Sequence, residues 1–106
     1  MERWCIPWVF LTAELMAGSA FSASAVEMEK GQHMFLQGTK PACALCHTLQ
    51  DAGAAGEIGP NLDELKPDAD RVTKAIREGL GVMPAFPDLS DEEVRMLADY
   101  VEAATK

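Results

Sequence analysis

Residues 43–47 read Cys43-Ala44-Leu45-Cys46-His47, two thiols separated by two residues with an imidazole directly after the second. Thiols at that spacing can add to the two vinyl groups of one haem, and the adjoining histidine then reaches the iron from one face. A redox dithiol and a structural zinc site use similar residues. The dithiol belongs near a βαβ pattern, which is missing here, and a structural zinc takes four ligands where only Cys43, Cys46, His47 and His33 are at hand. The reading is one haem c (iron) per chain, bound covalently through Cys43 and Cys46 with His47 on the metal.

One histidine leaves a second axial position on the iron. The candidates after the first 25 residues are Met28, Met34, Met83, Met96 and His33. Met28, Met34 and Met96 fall in helical patterns, where methionine is usually core filler, and a histidine in an exposed amphipathic helix is usually a surface residue. Met83 instead sits in a loop with Gly79 and Gly81 before it and Pro84 stiffening it from behind. Met83 is the expected second ligand, and a thioether there raises the reduction potential and suits an electron carrier.

The flanks on either side of the motif read as helices and loops. Glu27 to Gln37 has Met28, Gln32, Phe35 and Leu36 near one stripe, with Gly38 as its stop. Asp51 to Asn61 contains Gly53, Gly56, Gly59 and Pro60, a composition for turns, and is expected to be an ordered loop. Asp68 to Gly79 carries a cap at Asp68 or Asp70 and apolar Val72, Ala75 and Ile76 at helical spacing. Ser90 with Glu93 forms a capping box, Leu89 and Val94 a hydrophobic staple, and Val94, Leu97, Val101 and Ala104 the stripe of a last helix. No alternating strand pattern of useful length follows residue 26, so the fold class is all-α with long loops organised by something inside them.

The first 25 of the 106 residues differ from the rest. Arg3 and the amino terminus are positive, Trp4 to Leu15 is nearly all apolar yet too short to span a bilayer, and Ala23-Ser24-Ala25 offers a cleavage site. Residues 1–25 therefore read as a secretory signal peptide, with an uncleaved interfacial anchor as the alternative because Glu2 and Glu14 interrupt the pattern. Cys5 leaves with the leader. Residues 26–106 form the one domain, with eight basic and fifteen acidic side chains and a net charge of −7. That excess of acid argues against nucleic acid and anionic membranes as partners, and no membrane span is expected in the mature chain.

Taken together, these residues resemble class I monohaem cytochromes c over essentially all of 27–105. Gly59-Pro60-Asn61-Leu62 is similar to that family's Gly-Pro-x-Leu loop. The resemblance implies that the Pro60 carbonyl accepts a hydrogen bond from the second ring nitrogen of His47 and so fixes its tautomer. Gly31 and Phe35 resemble the family's N-terminal helix, and Leu97 with Tyr100 its C-terminal helix, which implies a close crossing at the glycine. The implied architecture is the cytochrome c fold, three to four helices wrapped around one haem. The chain departs from some members in having no tryptophan after residue 8, so the aromatic donor to a haem propionate is missing, and Lys66, Arg71 and Arg77 are the candidate substitutes.

Pro41 to Leu49 and Gly59 to Asp68 also look like the small cytochrome subunits that accept electrons from periplasmic molybdenum sulfite dehydrogenases. The implied function is a periplasmic electron carrier of a respiratory chain and not an enzyme. It would take single electrons from such a catalytic subunit and pass them to a cytochrome or terminal oxidase. The alternative is a haem c protein with an open sixth position, a ligand sensor or small peroxidase, against which Met83-Pro84 argues.

Overall fold

The computed structural model describes the backbone of residues 20–106 and the side chains of residues 24–106. The expected leader falls mostly outside the described residues. The elements in order are α1 (Ala20–Gln37), α2 (Cys43–Cys46), β1 (Thr48–Leu49), a 3-10 turn (Gln50–Ala52), β2 (Ala54–Ala55), α3 (Leu62–Leu65), α4 (Ala69–Glu78) and α5 (Asp91–Ala104).

The three long helices are the three that the periodicity predicts. α1 ends where Gly38 was placed as its stop, the Gly38 N–H donating to the Met34 carbonyl at 2.9 Å. Its start lies seven residues before Glu27, because Ala20, Ala23 and Ala25 are strong helix formers and nothing between them and Glu27 interrupts the turn. α4 is capped by Asp68, whose carboxylate accepts from Arg71 N, and closes on Gly79 at φ 73°. α5 begins with the Ser90–Glu93 capping box complete in both directions. α2 and α3 are single turns too short to leave a periodic signal. The same is true of the antiparallel pair β1–β2, which matches Thr48 with Ala55 and Leu49 with Ala54.

α1 and α5 cross at Gly31. A Cβ placed there would lie 2.8 Å from Tyr100 Cγ and nearer still to its Cβ, so only glycine lets the helices approach this closely. Phe35 and Tyr100 then meet edge to face, with ring centres 6.2 Å apart. Around them Leu49, Leu62, Ile76, Val94, Leu97 and Val101 complete the core. α4 is tied to α5 at both ends: Glu102 accepts from Ala69 N at 2.5 Å, while Arg77 pairs with Asp91 and donates to the Leu89 carbonyl at 3.1 Å. Burial of aliphatic and aromatic groups supplies the main stabilisation, and these ties set the angle between helices.

Candidate functional site

Between α2, the 56–67 segment, α4 and the loop after it lies a cavity of about 530 Å³. Its walls are mostly apolar, with Phe35, Leu62, Val72, Ile76, Phe86 and Leu97 among them. That size falls within the range of about 300–1,000 Å³ that accommodates cofactors and small ligands. Cys43, Cys46, His47, Pro60 and Met83, the five residues singled out in the sequence, all line it. His33 is exposed on α1 and is not part of the lining, and Met28, Met34 and Met96 are not part of it either.

Local hydrogen bonding sets the motif in place. The His47 N–H donates to the Cys43 carbonyl at 3.0 Å, closing the turn that carries both thiols. The 56–60 segment then packs directly behind it. Gly59 N donates to the Cys46 carbonyl at 2.6 Å and Gly56 N to the His47 carbonyl at 3.3 Å, while the Thr48 hydroxyl donates to the Gly56 carbonyl at 2.9 Å. A Cβ on Gly56 would stand 2.6 Å from the Cys46 carbonyl carbon, and one on Gly59 would stand 2.6 Å from His47 Cε1. Both glycines are therefore there for lack of a side chain. By composition both are turn formers; the three-residue spacing of Gly53, Gly56 and Gly59 was the available signal.

His47 Nδ1 lies 2.8 Å from the Pro60 carbonyl oxygen. A carbonyl can only accept, so the neutral ring has its proton on Nδ1 and its lone pair on Nε2, free for a metal. Pro60 is itself held: Asn61 caps α3 through Asp63 N at 2.9 Å, and Asp63 Oδ2 accepts from Gln50 N at 2.8 Å in the 3-10 turn.

Cys43 and Cys46 are both free and half-buried. Burial pushes the Cys43 thiol up, against the lowering effect of Thr39, whose hydroxyl is 3.6 Å from the sulfur. A reactive redox dithiol needs the opposite, a thiol lowered toward neutrality. Two free thiols, an oriented imidazole and a thioether around an apolar cavity are a donor set suited to a covalently held haem. Of the three cationic candidates, Arg71 lines the cavity, Arg77 is engaged with Asp91, and Lys66 lies outside the lining. Lys74, one turn on from Arg71, also lines it and had no sequence signal beyond its charge.

The family described as cytochrome c oxidase, cbb3-type, subunit III matches residues 26–101. The chain belongs to the cytochrome c family. A cytochrome c-551 from Halorhodospira halochloris is 34% identical over 73 residues, which span 67% of this chain and 92% of that protein. The crystal structure of the c-type cytochrome SorU from Sinorhizobium meliloti superposes with a TM-score of 0.73 at 52% sequence identity, covering 76% of this chain and 93% of that one. As a cytochrome c, the chain carries covalent haem c and is an electron carrier, not by itself an enzyme. Among the described residues no helix is long and apolar enough to cross a membrane.

Proposed function

We propose that this cytochrome c attaches its haem through Cys43 and Cys46 and ligates the iron with His47 and Met83, the Pro60 carbonyl orienting His47. The observation that carries the reading is that these side chains line one cavity together, with Met83 the sole methionine among the described lining residues. When bound there, the haem supplies a one-electron couple whose potential a thioether ligand raises. The protein's own part is to hold two ligands fixed and exclude water from most of the macrocycle, so that little rearranges when the charge changes. The test is the long-wavelength methionine-to-iron band of the oxidised protein. Met83→Ala is expected to abolish it and His33→Ala to leave it intact; a band that survives Met83→Ala refutes the assignment. Rapid carbon monoxide binding by the native reduced protein would point instead to a sensor or peroxidase.

The wider reading is of a periplasmic carrier, exported by cleavage of residues 1–25. It accepts electrons from a molybdenum sulfite dehydrogenase catalytic subunit and hands them to a cytochrome or terminal oxidase. Its support is the likeness of Pro41 to Leu49 and of Gly59 to Asp68 to the cytochrome subunits of those enzymes. Co-purification with a molybdenum enzyme from the native periplasm is the expected result, and mass spectrometry of the exported chain is expected to start at Val26. Isolation as a free protein in every preparation would count against the sulfite partner.

A further inference from the structure

The segment that presents Met83 is closed on itself by backbone contacts. Leu80 N donates to the Met83 carbonyl and Met83 N to the Leu80 carbonyl, both at 3.0 Å, so that Gly81 and Val82 form the tip of a minimal two-residue turn. Both arms of the turn are fastened to α4, Gly79 N donating to the Ala75 carbonyl and Phe86 N to the Ile76 carbonyl, each at 2.9 Å. The arms also touch one another at Gly79. A Cβ at that position would lie 2.9 Å from the Met83 oxygen and 3.0 Å from Ala85 N, and φ there is 73°. Gly81, at φ 58°, has nothing within 4 Å of where its Cβ would be, so glycine is needed there for its backbone angle alone.

We infer that Gly79 and Gly81 are positioning residues which hold Met83 in a closed backbone hook, so that external ligands displace its thioether from the iron only by opening that hook. The inference rests on the proposed assignment of Met83 as axial ligand. Carrying Met83 out of the cavity, so that an incoming ligand has room, breaks the paired Leu80–Met83 hydrogen bonds or pulls both arms from α4. An open loop of the same length would pay neither. Anything that strains the closed turn without touching the cavity should therefore raise the affinity of the oxidised protein for a competing ligand by the strain released on opening.

The fold contains its own control. Gly53 also lies in the left-handed region, at φ 62°, with open space around it, but it ends the 3-10 turn of residues 50–52 and has no part in the hook. Gly53→Ala and Gly81→Ala thus impose similar backbone strain at two places. The measurement is imidazole binding to the oxidised holoprotein, followed by loss of the methionine-to-iron band. Gly81→Ala is expected to bind imidazole about 5- to 30-fold more tightly than the wild type, and Gly53→Ala within about twofold of it. Gly81→Asn, whose side chain tolerates the left-handed region, is expected to restore near wild-type affinity. Should the alanine variant not fold, amide exchange at Leu80 and Met83 in the wild type carries the test: saturating imidazole is expected to speed it, and unchanged exchange overturns the hook. Equal affinity in Gly81→Ala and wild type, or an equal rise in Gly81→Ala and Gly53→Ala, overturns the hook. If the band is lost in Met83→Ala yet Gly81→Ala behaves as wild type, the hook fails alone; if the band survives Met83→Ala, the ligand assignment fails with it.

Discussion

Gly59 sits against the His47 imidazole so closely that a side-chain carbon there would stand 2.6 Å from Cε1 and 2.8 Å from Nδ1. The same segment delivers the Pro60 carbonyl to Nδ1 at 2.8 Å, so the glycine sets how near that carbonyl comes. In this cytochrome the ring is fixed from behind by backbone, which no rotamer change can release.

Gly59→Ala therefore has to move either the ring or the loop. Forcing one methyl into a filled space typically costs about 1–3 kcal/mol. For a domain of this size each kcal/mol lowers the melting temperature by about 4–8 °C. Thermal unfolding followed at the haem absorption is the measurement. A melting temperature equal to wild type would show that the loop yields freely and does not hold His47.

Gly31→Val meets the Tyr100 side chain at the α1–α5 crossing and is expected to destabilise by about 1–3 kcal/mol, with Gly31→Ala less severe. The two helices close the fold around the cavity without lining it at this point, so the electronic spectrum of whatever folds should match wild type. An unchanged melting temperature in Gly31→Val would mean that the helices are not packed as closely as described.

How much of this was readable in advance follows from how far each signal reaches along the chain. Cys43 to His47 is a local pattern, and so are the capping box at Ser90 and the stop at Gly38. Met83 could be picked out by its glycine-flanked, proline-stiffened neighbourhood, and Pro60 only by its likeness to a family loop. The contacts that hold them are distant or on the backbone. The Pro60–His47 bond spans 13 residues, and sequence could reach it only through family resemblance. Gly56 and Gly59 are legible as turn residues but not as a cradle, because what excludes a Cβ is the motif folded onto them. The Leu80–Met83 pair lies between main-chain atoms and leaves no residue-type mark.

Tyr100 illustrates the same limit over a longer distance. Its hydroxyl donates to Asp51 Oδ2 at 2.6 Å, joining residues 49 apart, and Gln32 reaches the Asp51 carbonyl from α1. Burial, and then the carboxylate beside it, push the phenol well above its ordinary range. A raised value in the folded state means that the unfolded chain loses this proton first, so the stabilisation is complete below about pH 10 and is lost as pH rises beyond it. Tyr100→Phe is expected to lose about 1.5–3 kcal/mol at neutral pH, the range for a hydrogen bond to a charged group. The gap to wild type should narrow above about pH 10 by at most about 1.4 kcal/mol per pH unit. Tyr100 is the only tyrosine in the chain, so phenolate absorbance reports it alone. Ionisation near pH 10 in the folded protein would contradict the buried pair.

The last expectation concerns encounter with the redox partner. Residues 26–106 carry a net charge of −7, and haem propionates add to it. Electron transfer needs only brief contact near the cavity mouth, where Ile58, Leu80 and Val82 are exposed apolar side chains, so attraction at a distance governs how often contact occurs. A partner with a basic face is drawn in through a field whose range falls from about 30 Å at 0.01 M salt to about 8 Å at 0.15 M. Stopped-flow electron exchange with such a partner is therefore expected to slow as salt is raised across that interval, with the change in the association rate constant. Neutral contacts among Ile58, Leu80 and Val82 would persist at high salt, leaving a residual rate. A rate independent of salt throughout would assign the acidic surface to solubility and leave docking to those apolar residues.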